Sequence, residues 1–218
     1  SFNKQISGTE GIIIKNCQNI IFQDFSIQGY KQDAIVFDKV NGIELRELRI
    51  MLNQKKVEKK DQNSLSLKHC TNFIIQDCLF NSAINCGLLI SESINGVVRF
   101  SEFMENSIGV KIVNSSLIDV HSNNIFDNAG GIALMSLPDL SISKSKKIRL
   151  FDNIIKNNNF KNRSKIENSS YLIPSGSGIF LLATENVEIF NNSIMDNKTY
   201  GVSILSYLIT GLTTKDTE

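Results

Sequence analysis

The chain has no tryptophan, and only two prolines and two histidines in 218 residues. Proline cannot donate to a strand ladder. Its absence outside Pro138 and Pro174 leaves long stretches free to pair without interruption. No run of 18 apolar residues occurs, so no segment reads as a membrane-spanning helix. Apolar spacing of helical period is missing throughout, which excludes an amphipathic-helix architecture. Neither sign of charge dominates: 23 Lys and Arg stand against 22 Asp and Glu, a net charge of +1. That balance lacks the electrostatic footprint of a nucleic-acid or anionic-membrane partner. The opening residues SFNKQISGTE carry no apolar core of an export signal. Four cysteines are present, with no CxxC and no metal-ligand spacing.

What is there repeats itself. The segments GLLI, GVKI and GIAL open at Gly87, Gly109 and Gly131, 22 residues apart, and GIFL and GVSI open at Gly178 and Gly201, 23 apart. Extending the register backwards adds openings at Gly11, Ala34 and Ser64. Within each opening the second and fourth residues are apolar, from Ile12/Ile14 to Val202/Ile204. This is the period of a strand with one buried face. A second alternating pair follows, as in Ile20/Phe22, Phe73/Ile75 and Ile148/Leu150. A third apolar position comes next: Ile27, Ile50, Phe80, Phe103, Ile125, Ile155 and Ile194. Three short strands per repeat predict an all-β fold, a right-handed single-stranded parallel β-helix of about eight 22–23-residue coils.

Amides keep the same phase. Asn123, Asn153 and Asn192 stand two positions before the third apolar residue, and Asn106, Asn128, Asn158 and Asn197 three positions after it. Coils stack about 4.8 Å apart, so equivalent amides lie above one another. An amide can both donate and accept along such a column. Cys78 shares the first column as a small filler, Cys17 and Cys70 share a position two coils apart, and Cys86 falls at a turn. Cys17 and Cys70 are too distant for a disulfide, so all four read as free or packed thiols.

Residues 1–218 therefore read as one β-helix segment with loop insertions at 53–63, 136–147 and 159–177. The first carries Lys55, Lys56, Lys59 and Lys60 and reads as a solvated loop. The last residues, SYLITGLTTKDTE, supply no further strands, and neither end shows a recognisable cap. The expectation is an internal segment of a longer solenoid.

The segments NAGGIALMSLPDL, KIRLFDNIIKNNNF and IPSGSGIFLLATENVEIFNNSIMDN resemble the parallel β-helix repeat proteins of bacterial envelopes, within the pectate-lyase-like superfamily. The resemblance is strongest from Gly87 to Tyr207, and GTEGIIIKNCQNIIFQDFSIQGYKQDAIVF looks like the family's entry into the helix. The chain departs from the pattern after coil two, where the Lys-rich insert stands and NSLSLKHC replaces a Gly-rich opening. The resemblance implies an exported protein, periplasmic or at the cell surface, often beside a second envelope protein. It supplies no catalytic residues.

Cleavage of a polysaccharide by hydrolysis needs paired carboxylates. The outward residues of the eight openings (Ile13, Val36, Ser66, Leu89, Lys111, Ala133, Phe180 and Ser203) include none. No cofactor is expected. Calcium would need loops that bring together acids such as Asp38, Glu92 and Glu185. The expected site is a trough over the first strands, with Leu89, Lys111, Ala133 and Phe180 as its floor. The two later loops, carrying Asp139 and Tyr171, would be its walls. A lone ammonium and an exposed ring suit an acidic polysaccharide. The opposing reading has Phe180 covered by the Tyr171–Ser177 loop. A second outward face carries Arg99, Asp119, His121, Arg149 and Glu188, as a cross-strand charge ladder or as a general base with an electrostatic partner. His69 has no evident partner. Three functions remain open: non-catalytic binding of an acidic carbohydrate, a scaffold that binds a partner protein, and a lyase or epimerase with its acids elsewhere.

Overall fold

A computed structural model of the chain describes residues 11–52 and 62–206. Its 22 strands form three parallel sheets of eight, seven and seven strands. Each sheet collects one strand from every coil, and together they make a right-handed parallel β-helix. The first sheet runs through Ile12–Lys15, Ile35–Asp38, Leu65–Lys68, Cys86–Ser91, Ile108–Val113, Gly130–Met135, Ser177–Leu182 and Tyr200–Leu205. Cys86, expected at a turn, instead begins the fourth of these strands. The Lys-rich residues 53–61 lie outside the described region.

The register follows the apolar spacing. Ile35 pairs with Ile12 and Leu65, Leu88 with Leu65 and Val110, and Ile132 with Val110 and Ile179. Inward side chains stack as a column through the axis, buried on all sides, and Phe80 and Phe103 lie face to face with centroids 4.8 Å apart. Burial of such a side chain stabilises by about 1.5–3 kcal/mol. One inward position of the second sheet breaks the pattern. Gly96 replaces an apolar residue because the Phe73 ring fills its place, and a Cβ on Gly96 would come within 2.0 Å of that ring.

Between the second and third strands the chain turns at Asp24, Glu47, Asp77, Phe100, Ser122, Asp152 and Asn191, all with φ of 51–56°. Asp and Asn tolerate this left-handed region best; Phe100 is the bulky exception. The turns are tied by amides. Asn123 Nδ2 donates to Asn153 Oδ1 at 3.0 Å, and Asn153 Nδ2 to Asn192 Oδ1 at 2.9 Å. At the next turn Asn106 donates to Asn128, Asn128 to Asn158, and Asn158 to Asn197, at 2.9–3.1 Å. Each also donates to a backbone carbonyl one coil away, as Asn128 does to Phe103.

Two long excursions leave the helix. Residues 136–145 follow Gly130–Met135, and residues 157–176 precede Ser177–Leu182 and contain a 3-10 turn, Ser169–Leu172. Both fold back onto the first sheet.

Candidate functional site

The trough over the first strands is filled. Lys111, Ala133 and Phe180 are 3%, 0% and 2% exposed, and Leu89 is half-buried. The floor residues lie beneath the 157–176 loop, whose Ile173 joins Cys86, Ala133, Phe180 and Leu182 in a satellite apolar cluster. Lys111 Nζ donates to Asn168 Oδ1 at 3.2 Å, Ser169 Oγ at 2.8 Å and Ser170 Oγ at 2.7 Å. The expectation of an open floor is thus corrected: the loops lie across the strands instead of walling them, because Ile173 completes the apolar cluster. Arg163 clamps the same loop by donating to the carbonyls of Ala83 and Glu105. Tyr171 points away, 53% exposed, and Asp139 is exposed on the 136–145 loop. The latter loop places Leu137 and Leu140 against the satellite cluster and is held through Asn114, which accepts from Leu137 N at 2.7 Å.

His69 is also corrected. Its Nδ1 lies 3.2 Å from Asp38 Oδ1 and its Nε2 3.1 Å from Glu92 Oε2. Sequence spacing carried the signal: His69 and Glu92 each stand five residues past an opening, Ser64 and Gly87. Both ring nitrogens are engaged by carboxylates, so His69 is committed to a contact that ties three coils together.

The second sheet remains open. Its outward residues form two rows up the stack. One row is Ile21, Glu44, Ile74, Val97, Asp119, Arg149 and Glu188. The neighbouring row is Gln23, Arg46, Gln76, Arg99, His121, Phe151 and Phe190. The structure therefore brings together Arg99, Asp119, His121, Arg149 and Glu188. Arg149 Nε donates to Asp119 Oδ1 at 2.7 Å, and Arg46 is paired with Glu44. Arg99 gives Nε and Nη2 to one neutral acceptor, Gln76 Oε1, at 3.2 and 2.8 Å. Among the described residues no carboxylate lies within ion-pair distance of Arg99.

His121 stacks on Phe151 (4.6 Å) and Phe151 on Phe190 (5.0 Å), with planes within 9°. Rings stacked along the axis cover one another's faces, so the row presents ring edges rather than a flat platform. Burial, and after it the Arg99 charge, hold His121 below its ordinary pKa, with Asp119 and Asp152 opposing. Two depressions follow this face, one of about 430 Å³ over the first four coils and one of about 370 Å³ over the later ones, and Asn95 lines both. Among the described residues no group of three or more His, Cys, Asp or Glu could hold a metal ion, and no helix is long and apolar enough to cross a membrane.

The sequence profile described as the right-handed β-helix region matches residues 2–139 and 41–208. No curated protein sequence matches the chain. Among solved structures, a variant of the periplasmic alginate epimerase AlgG superposes with a TM-score of 0.54 at 16% identity. The match covers 85% of this chain and 47% of the epimerase, so the chain spans about half of that protein. The A-module of the mannuronan C-5 epimerase AlgE6 of Azotobacter vinelandii matches with a TM-score of 0.32 at 12% identity, over 90% of this chain and 58% of the module. At these identities the likeness is one of fold.

Proposed function

Because the chain belongs to the right-handed β-helix family, we propose that it binds a polysaccharide, without cleaving it, along the open face of the second sheet. Coils repeat about every 4.8 Å, close to the advance per sugar of an extended 1,4-linked chain. A linear polymer lying along the axis would meet similar positions coil after coil, and many weak contacts would add. Outward Ile21, Ile74 and Val97 offer apolar surface for sugar C–H groups, while Gln76, Asn72 and Asn95 offer donors and acceptors for hydroxyls. The observation that carries the reading is Arg99, an outward guanidinium held by an amide and left without a carboxylate among the described residues. A uronate carboxylate would complete it by a charge-assisted bond. The fold it shares with a periplasmic alginate epimerase supports a polysaccharide ligand and an exported, periplasmic or cell-surface setting.

The test is calorimetric titration of the chain with a polyuronate. Arg99→Gln keeps the amide contact and removes the charge, and binding should weaken about tenfold to hundredfold with an unchanged melting temperature. Equal affinity of the variant, or no binding by the wild type, overturns the proposal. The wild-type failure would favour a scaffold that serves a second envelope protein.

A second reading rests on Arg99 and His121 being paired across adjacent strands. A neutral imidazole can take the proton α to a uronate carboxylate while the guanidinium neutralises the charge that develops. Nδ1 of His121 lies 3.1 Å from Ser122 Oγ, and in the tautomer in which Nδ1 donates to that hydroxyl Nε2 is the nitrogen that receives the proton. Exchange of the sugar's C5 hydrogen with deuterated solvent, abolished in His121→Gln, would establish this reading. No exchange with bound polymer would dismiss it.

A further inference from the structure

The second-sheet face is chemically two faces joined at Asn95. Over the first four coils the floor is Ile21, 64% exposed, with Ile74 and Val97. The one ionisable group lining that depression, Glu44, is already paired with Arg46. Its rim is a chain of amides: Asn95 Nδ2 donates to Asn72 Oδ1, and Asn72 Nδ2 to Asn41 Oδ1 at 2.6 Å. Gly42 interrupts the rim at a φ of 80°, and a Cβ there would fall 2.5 Å from Asn19 Oδ1. The Asn19 amide fills the place a side chain at Gly42 would take and continues the polar rim beside the apolar floor. Over the later coils the lining is largely ionic, with Asp119, Lys147, Arg149 and Glu188 beside the exposed Leu117 and His121 in the next row, while Arg99, on the strand of Val97, stands at the junction of the two halves.

Resting on the reading of this face as a polysaccharide groove, we infer that the ligand is a heteropolymer containing both acetamido sugars and uronic acids. An acetamido group has an apolar methyl beside an amide that donates and accepts. The apolar floor with its amide rim matches both parts, and nothing charged need be displaced to seat it. A uronate in that half would meet apolar side chains and a Glu44–Arg46 pair without net charge, whereas Arg99, without a carboxylate among the described residues, adds a cation beside a later half in which Lys147 and Arg149 balance Asp119 and Glu188. The boundary at Asn95 puts the two kinds of sugar on neighbouring coils, as in a polymer where they alternate or sit in adjoining blocks.

The experiment titrates the 218-residue chain with three probes: polymannuronate, an N-acetylglucosamine hexamer, and a hyaluronan oligosaccharide in which acetamido and uronic sugars alternate. Hyaluronan is expected to bind at least tenfold tighter than either homopolymer. Ile74→Ser should weaken the hexamer and hyaluronan about tenfold and leave polymannuronate unchanged, and Arg99→Gln should weaken polymannuronate and hyaluronan alone. Ile21→Ser, at a position 64% exposed that lines the first depression alone, replaces Ile74→Ser if that variant fails to fold. Polymannuronate binding as tightly as hyaluronan, with no effect of either lower-half variant, overturns this inference and leaves the polysaccharide reading intact. Absence of binding by all three probes overturns both.

Discussion

His69 Nε2 sits 3.1 Å from Glu92 Oε2 across one coil step, while Ser141 N donates to the other oxygen of the same carboxylate at 2.6 Å. One carboxylate thereby joins the solenoid to the 136–145 loop. The Ser141 hydroxyl foremost, with its backbone N–H and the His69 charge adding, hold Glu92 below the ordinary carboxylate pKa. A depressed carboxylate contributes stability that is present above its unfolded pKa and lost as pH falls through its folded one. Acid should therefore loosen the 136–145 loop before the coils. Melting curves of wild type and Glu92→Gln are expected to differ at neutral pH and to converge below about pH 4. A constant difference down to that pH would show that the contact does not depend on charge.

Asn153 accepts from the backbone and side chain of Asn123 and donates to Val120 O and Asn192 Oδ1. Asn153→Ala and Asn123→Ala should each cost about 1–3 kcal/mol by leaving buried turn groups without partners. Urea midpoints measure this, and unchanged midpoints for both would refute a structural role for the amides.

Gly96 should not accept a side chain. Gly96→Ala is expected to cost about 1–3 kcal/mol because the new Cβ meets the Phe73 ring. Phe73→Leu in the same chain should recover part of the loss. If the double variant is no more stable than the single one, the ring is not the obstacle.

Phe180 and Lys111 belong to the covered first-sheet face. Phe180→Ala should cost about 3–5 kcal/mol, and Lys111→Ala about 1–3 kcal/mol through the three oxygens it leaves behind. Neither should alter polysaccharide affinity at a temperature where the variant is folded. Weakened binding with full stability would restore the first sheet as the site.

These residues mark what sequence could and could not give. The alternation Ile12/Ile14, Leu88/Ile90 and Ile179/Leu181 sets strand, face and register together, because a one-residue slip would turn every such pair to solvent. The same periodicity places Lys111 and Phe180 outward, correctly, but outward from a strand is not exposed. Where the 157–176 loop lands is decided by Ile173 and the Asn168–Ser170 hydroxyl and amide groups, which follow no repeat. The His69–Glu92 contact was encoded in a shared coil position and becomes visible once columns of polar residues are compared as apolar ones are. Arg99, Asp119, His121 and Arg149 lie together on one face as their spacing requires. That Arg99 is left with an amide partner, while Arg46 and Arg149 have carboxylates, depends on side-chain reach that spacing does not contain.

The central claim is that a polysaccharide lies on the second sheet and not on the first. Cross-linking the chain with a uronate oligosaccharide that bears a photoreactive group, followed by sequencing of the labelled peptides, tests it most directly. The account predicts labels within Ile94–Arg99, Ser116–His121 and Lys146–Phe151. Labels concentrated in Ile108–Val113, Ser177–Leu182 or the loop between 157 and 176 would contradict it.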